Sequence, residues 1–125
     1  MLALKVWPIV FAGALVLSGC SKPDEVRTIK SPEADLYLTV ETNHGSGAIS
    51  SDFTRLYAHL GEGDGAAREL VLDGDDLAVS KVIWREHGDM IVCLSGGFTN
   101  TFHNEVAIGG PENHRTLHVS LAKGC

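Results

Sequence analysis

From Leu36 to the C-terminus, apolar residues come in short runs, and glycines or clustered acids close each run. That pattern excludes most architectures at once. An amphipathic helix needs apolar positions at three- and four-residue spacing over a long window, and only the stretch 49–60 offers it. Short alternating runs bounded by turn residues are what half-buried strands require. Twelve of the chain's fourteen glycines lie in this stretch and supply the punctuation. The chain is therefore expected to be all-β: a small antiparallel β-sandwich of about seven strands.

The runs place the strands. Leu36 to Glu41 alternates, with Leu36, Leu38 and Val40 on one face, and His44-Gly45-Ser46-Gly47 ends it. Residues 49–60 fit two patterns. Ile49, Phe53, Leu56, Tyr57 and Leu60 make a helical stripe that Ser51 could cap. As a strand, the same stretch sets Thr54, Leu56, Ala58 and Leu60 against Phe53, Tyr57 and His59. The strand is preferred, because its neighbours are strands and glycines bracket it. Glu62-Gly63-Asp64-Gly65 then makes an acidic turn. Leu70-Val71-Leu72 leads into Asp73-Gly74-Asp75-Asp76, which reads as a hairpin turn. Val79 to Trp84 and Met90 to Leu94 form a second hairpin through Arg85–Asp89. Phe102 to Ile108 and Thr116 to Leu121 form a third, turning through Gly109–Asn113. Trp84 lies in phase with Val82 and is expected to pack in the core.

The N-terminus follows a different rule. Met1 to Lys5 carries one basic side chain and no acid, and apolar or small residues fill Val6 to Leu17. That run is too short to span a bilayer and suits the core of a secretory signal. It closes on Leu17-Ser18-Gly19-Cys20, which resembles the lipobox of bacterial lipoproteins. The resemblance implies that residues 1–19 are a signal peptide cut after Gly19 and that Cys20 receives a diacylglyceryl thioether. Each buried methylene adds about 0.8 kcal/mol of membrane affinity, so two or three chains anchor firmly. It also implies a cell-envelope location. In a diderm host, Ser21 after the cysteine favours the outer membrane, facing the periplasm.

Residues 20–34, with Lys22-Pro23-Asp24-Glu25 and few large apolar side chains, are expected to be the lipidated tether. Residues 35–125 are expected to be the sandwich domain. A second resemblance runs through the mature chain. Ser31-Pro32-Glu33, Gly47-Ala48, Phe53-Thr54 and Ile83-Trp84 are similar to a pattern in small β-rich bacterial lipoproteins. It implies a β-rich fold and supplies no activity.

With Cys20 acylated, Cys93 and Cys125 remain as an even pair in an exported chain. They are expected to form a disulfide. The alternative is a reactive thiol at Cys93, although no histidine sits beside it in sequence.

Charge narrows the partners. Ten basic side chains face sixteen acidic ones, for a net charge of −6, and loss of Lys5 with the leader makes the mature chain more negative still. Nucleic acid is not an expected partner. The membrane is, through the lipid at Cys20, together with an envelope protein or polymer.

The motifs that could carry chemistry are few. If the last hairpin is in simple register, His103 and Glu105 project from the face opposite Phe102, Val106 and Ile108, and His118 becomes a cross-strand neighbour of Glu105. Two imidazoles and a carboxylate suit zinc. The competing account is a solvated His–Glu pair. Asp73, Asp75 and Asp76 resemble a calcium loop, but Trp84 stands where its bidentate glutamate belongs. Leu94-Ser95-Gly96-Gly97 lacks the first glycine of a nucleophile elbow, so Gly96 and Gly97 are expected to form a bend. No cofactor and no catalytic residue is expected. The chain reads as a non-enzymatic binding module, with exposed loops at Gly61–Gly65 and Pro111–His114 as candidate recognition surfaces. The alternatives are a metal- or small-ligand-binding lipoprotein and an envelope inhibitor of a hydrolase.

Overall fold

A computed structural model describes residues 22–33, 35–45, 51–61 and 67–125. Within them lie nine strands: β1 (Glu25–Lys30), β2 (Leu36–Asn43), β3 (Phe53–Leu60), β4 (Arg68–Asp75), β5 (Ala78–Trp84), β6 (Asp89–Ser95), β7 (Phe98–Phe102), β8 (Glu105–Ile108) and β9 (Arg115–Lys123). They form two sheets packed face to face. The first has the order β1-β2-β3-β4-β7 and the second β5-β6-β9-β8. The all-β sandwich read from the glycine-broken runs is the fold. One ladder departs from the antiparallel expectation, since β6 and β9 run parallel, Asp89 opposite His118 and Leu94 opposite Lys123.

The core is built by alternation. Leu36, Leu38 and Val40 of β2 point inward, and their register partners Leu60, Ala58 and Leu56 come from β3. Leu38, Leu56, Ala58, Val71, Leu72 and Val92 are fully buried. Burying a Leu or Val side chain contributes about 1.5–3 kcal/mol, so the two facing sheets carry the hydrophobic stabilisation. The ambiguous stretch 49–60 is a strand from Phe53 onward.

The β5–β6 hairpin forms as expected, closed by a short 3₁₀ turn over Glu86–Gly88. A bulge at Ser80 lets Val79 and Val82 both turn inward although three positions separate them. Trp84 is half-buried and packs against the core from its edge.

Three expectations are corrected. The segment read as part of a tether, 20–34, contains β1, which pairs along its whole length with β2. Its sequence Glu-Val-Arg-Thr-Ile-Lys is polar because β1 is an edge strand and most of it is exposed. The sheet therefore starts at Glu25, ahead of the expected boundary at 35. Asp73-Gly74-Asp75 is no hairpin turn either: β4 continues through it, paired with β3 on one side and β7 on the other. The chain then crosses to the second sheet through Asp76-Leu77, and β4 and β5 are not ladder partners. Finally, Phe102–Ile108 is broken. Phe102 ends β7 in the first sheet, His103-Asn104 crosses over, and Glu105 begins β8 in the second. The added strand β1 and the division of 102–108 between β7 and β8 account for nine strands where about seven were expected.

Ser95-Gly96-Gly97 makes the expected bend and carries the chain between sheets. Gly97 has φ +57, and a Cβ there would stand 2.1 Å from the Asp75 carbonyl oxygen. No other residue type fits against the β4–β5 crossover.

Candidate functional site

The two sheets end on the same side of the sandwich, at β1 and β5, and no ladder joins these strands. A groove of about 660 Å³ opens between them. Val40, Thr54, Leu77 and Val79, all buried core residues, form its floor. Glu25, Asp52 and Asp76 bring carboxylates to its rim, and His44 and Arg27 bring the basic groups. The volume lies in the range of small-molecule sites, and an apolar floor with a few polar groups is their usual chemistry.

Arg27 spans the opening. Its register partner on β2 is Val40, so Arg27 points inward from β1. Its guanidinium donates to the carbonyl of Val79 on the opposite sheet. A backbone acceptor at a free sheet edge is thus satisfied by a side chain where an added strand would otherwise supply an N–H. Thr54 secures the floor, its hydroxyl donating to the Leu77 carbonyl at 2.7 Å while 2% exposed.

His44 and Asp52 together tie four segments at the mouth. Its backbone N–H donates to Asp24 Oδ2 at 2.6 Å. Its ring Nδ1 lies 3.1 Å from Asp52 Oδ2, and Nε2 lies 3.5 Å from Glu25 Oε1. Asp52 also accepts from the Gly45 N–H at 3.2 Å. Asp52 and Asp76 exchange a further pair: the Asp52 N–H donates to Asp76 Oδ1 at 3.1 Å, and the Asp76 N–H donates to the Asp52 carbonyl at 2.8 Å. The hydrogen bond and charge of Asp52, followed by Glu25, raise the His44 pKa. The His44 hydrogen bond, followed by that of the Gly45 N–H, lowers the Asp52 pKa. Both shifts favour an imidazolium–carboxylate pair.

The outer face of the first sheet holds a second polar cluster. His59 is buried there, stacked on Tyr37 at 5.9 Å. Its Nδ1 lies 2.9 Å from the Gly61 carbonyl oxygen and its Nε2 2.8 Å from Thr39 Oγ1. A carbonyl only accepts, so Nδ1 carries the proton, and in the neutral ring Nε2 accepts from the Thr39 hydroxyl. Arg68 lies over the Tyr57 ring at 4.3 Å and pairs with Glu41 at 2.8 Å.

The residues singled out from the sequence are placed as follows. Cys93 and Cys125 are bonded, with Cα atoms 5.7 Å apart. Glu105 and His118 are cross-strand partners, 3.4 Å apart and exposed on the outer face of the second sheet. His103 does not join them: it lies on the crossover between β7 and β8, with Nδ1 2.8 Å from the Leu70 carbonyl of the other sheet. The third member of that row is Asp89, opposite His118 across the parallel ladder. Among the described residues no group of three or more His, Cys, Asp or Glu is disposed to hold a metal ion. Asp73 and Asp75 are strand residues, which removes the calcium-loop geometry. Ser95 is exposed at the end of β6. The turn Pro111–His114 is exposed beside the β8–β9 hairpin. Cys20 and most of Gly61–Gly65 lie outside the described residues.

The groove was not visible in the sequence. Asp24, His44, Asp52 and Asp76 come from four segments that meet only when β1, β2, β3 and the β4–β5 crossover end at one level. In the folded chain each of the four lies one position outside a strand end, but the apolar runs in the sequence do not mark those ends.

Among the described residues no helix is long and apolar enough to cross a membrane. No protein-family model, no curated protein and no solved structure matches this chain.

Proposed function

We propose that this chain is a non-enzymatic, lipid-anchored binding module of the bacterial cell envelope, held by Cys20 and recognising an envelope component at the groove between β1 and β5. The anchor rests on the lipobox resemblance of Leu17-Ser18-Gly19-Cys20 and on the apolar run before it. The groove carries the binding reading. It is preformed, floored by core side chains and rimmed by carboxylates, and it lies where both sheets leave an edge unpaired.

In-cell photocrosslinking tests the reading. A photoreactive residue at Glu25, which lines the groove and lies on the inward side of β1 with its partner Thr42, is compared with one at Ala107, exposed on the far edge strand β8. The expected result is one discrete adduct from Glu25, none from Ala107, and loss of the adduct when Cys20→Ala leaves the protein unanchored. Equal adducts from both positions would remove the groove as the recognition surface.

A further inference from the structure

The rim of the groove belongs to one end of the sandwich. The ladders set Glu25, Thr42, Phe53, Asp75 and Phe98 at neighbouring levels across the first sheet. Ala78 and Ser95 pair at the same end of the second sheet, on either side of the crossovers that leave Asp75 and arrive at Phe98. Phe98 is 78% exposed there, and Val26, one residue into β1, is 59% exposed. Two of the three large exposed hydrophobics among the described residues are thus at this end, with Ile83 toward the other.

Phe98 is also held stiffly. It follows Gly96 and Gly97, whose φ values are +70 and +57, and Gly97 packs on the Asp75 and Asp76 backbone too closely for any side chain. Its own strand pairs it with Asp75. A single exposed phenylalanine is ordinary on a protein surface. Its position relative to the anchor is what distinguishes this one.

Only Ser21, Lys22, Pro23 and Asp24 separate Cys20 from β1. Fully extended, that span is at most about 18 Å. Asp24 shortens the free reach, because its side chain already accepts from the His44 N–H. A lipid at Cys20 therefore leaves the domain no long leash, and the Glu25 end must face the surface in which the lipid sits. Val26 and Phe98 stand on the outermost strands of the first sheet, four strand spacings or about 19 Å apart. Between them Asp24, Glu25, Asp52, Asp75 and Asp76 outnumber the basic groups Arg27 and His44 of the same rim, a net negative surface that anionic headgroups would repel and amine-bearing headgroups would accept.

We infer that the Glu25–Phe98 end of the sandwich is a membrane seat: it rests on a zwitterionic, amine-bearing bilayer surface with Phe98 inserted at the interface. The inference rests on the lipid anchor proposed above. It gives that reading a geometry, with the groove mouth opening at the bilayer surface.

Brominated-lipid quenching tests it on the full, processed protein in phosphatidylethanolamine/phosphatidylcholine vesicles. Phe98→Trp places an indole at the seat, and Ile83→Trp places one toward the far end. The wild type, with Trp84, provides the background. Lipid brominated near the acyl carbonyl should quench the indole at 98 several-fold more than the one at 83. Inserting about ten Gly/Ser residues between Ser21 and Lys22 should leave that difference in place, because the seat and not the tether holds the end down. Vesicle flotation is read on the same samples. Flotation with equal quenching at both positions, or loss of the difference on lengthening the tether, overturns the seat and leaves the anchor standing. Absence of flotation overturns the anchor and the seat together. Stronger quenching at 98 as phosphatidylglycerol is added overturns the headgroup assignment.

Discussion

Cys125 is bonded to Cys93, yet the parallel ladder sets Ala122 opposite Cys93. The chain passes its partner by three residues and comes back. Gly124 makes the return, with φ +64 and its N–H donating to the Leu94 carbonyl at 3.3 Å. Cys93 is fully buried but stands between Val92 and Leu94, which face the core, so its sulfur lies on the outer face of the second sheet. The bridge clamps the chain end over an outer-face residue.

Cys125→Ser should therefore lower unfolding free energy by about 2–5 kcal/mol, mostly by freeing the unfolded chain across a separation of 32 residues. Non-reducing urea unfolding of the wild type and variant measures it. Thiol titration of the unreduced, denatured wild type should find neither Cys93 nor Cys125 free. Two titratable thiols would contradict the bond.

How much of this was readable beforehand depended on local contrast. β2 and β3 alternate in sequence, because one face takes the apolar residues that meet the other sheet while the outer face takes polar and aromatic ones, Tyr37, Thr39 and His59 among them, so their inward residues could be named. β4 was cut short at Asp73-Gly74-Asp75. Acids and glycine signal a turn when only neighbours in sequence are considered, and only pairing with β7 keeps that stretch extended. β1 was hidden by its own edge position, where solvent on most of its surface permits a charged sequence. His103 was misplaced because two residues of crossover separate β7 from β8, so the face it occupies does not continue into Glu105. Glu105 and His118 were legible because a hairpin fixes its own register. The groove depends on strand ends meeting in space, and nothing in the spacing of Asp24, His44, Asp52 and Asp76 encodes that meeting.

Leu56 and Leu72 are fully buried and face each other across the β3–β4 ladder. Truncating either to alanine should cost about 2–5 kcal/mol, the transfer loss plus the cavity left behind. The extra residue of the bulge, Val71, sits beside Leu72 on β4 and gives that backbone some room to relax, so Leu72→Ala should fall below Leu56→Ala. Equilibrium urea unfolding of both variants decides the order. A loss below about 1 kcal/mol at both sites would contradict the packing.

Thr54→Val keeps the shape and removes a hydroxyl that donates to the Leu77 carbonyl at the groove floor. Leaving that buried acceptor unpaired should cost about 1–3 kcal/mol. The loss should also loosen the Asp76-Leu77 crossover. Hydrogen exchange is the sensitive reading: the Asp76 amide, which donates to the Asp52 carbonyl, should exchange faster in the variant while amides at the β8–β9 hairpin stay unchanged. Uniform acceleration across both sheets would assign Thr54 to general packing and not to this joint.

The pH response of the groove mouth follows from His44 and Asp52. In the folded protein the His44 pKa stands above its ordinary 6.5, first through the hydrogen bond to Asp52, and the Asp52 pKa stands below 3.8, first through the hydrogen bond to His44. A raised histidine contributes stability that is fully present below pH 6.5 and lost as pH climbs through its folded value. A lowered aspartate contributes stability that is present above 3.8 and lost as pH falls through its folded value. The imidazolium–carboxylate latch is thus closed between those limits and opens on either side of them. Asp24, Glu25 and Asp76 also face or border the pair, so the mouth becomes more negative when His44 loses its proton. NMR titration of the His44 ring should give a midpoint above 6.5 in the wild type. Asp52→Asn, which removes the charge and keeps an acceptor, should bring it down toward the ordinary value, with Glu25 holding part of the shift. A wild-type midpoint at or below 6.5, or one unmoved by Asp52→Asn, would separate His44 from Asp52 and take the latch off the groove.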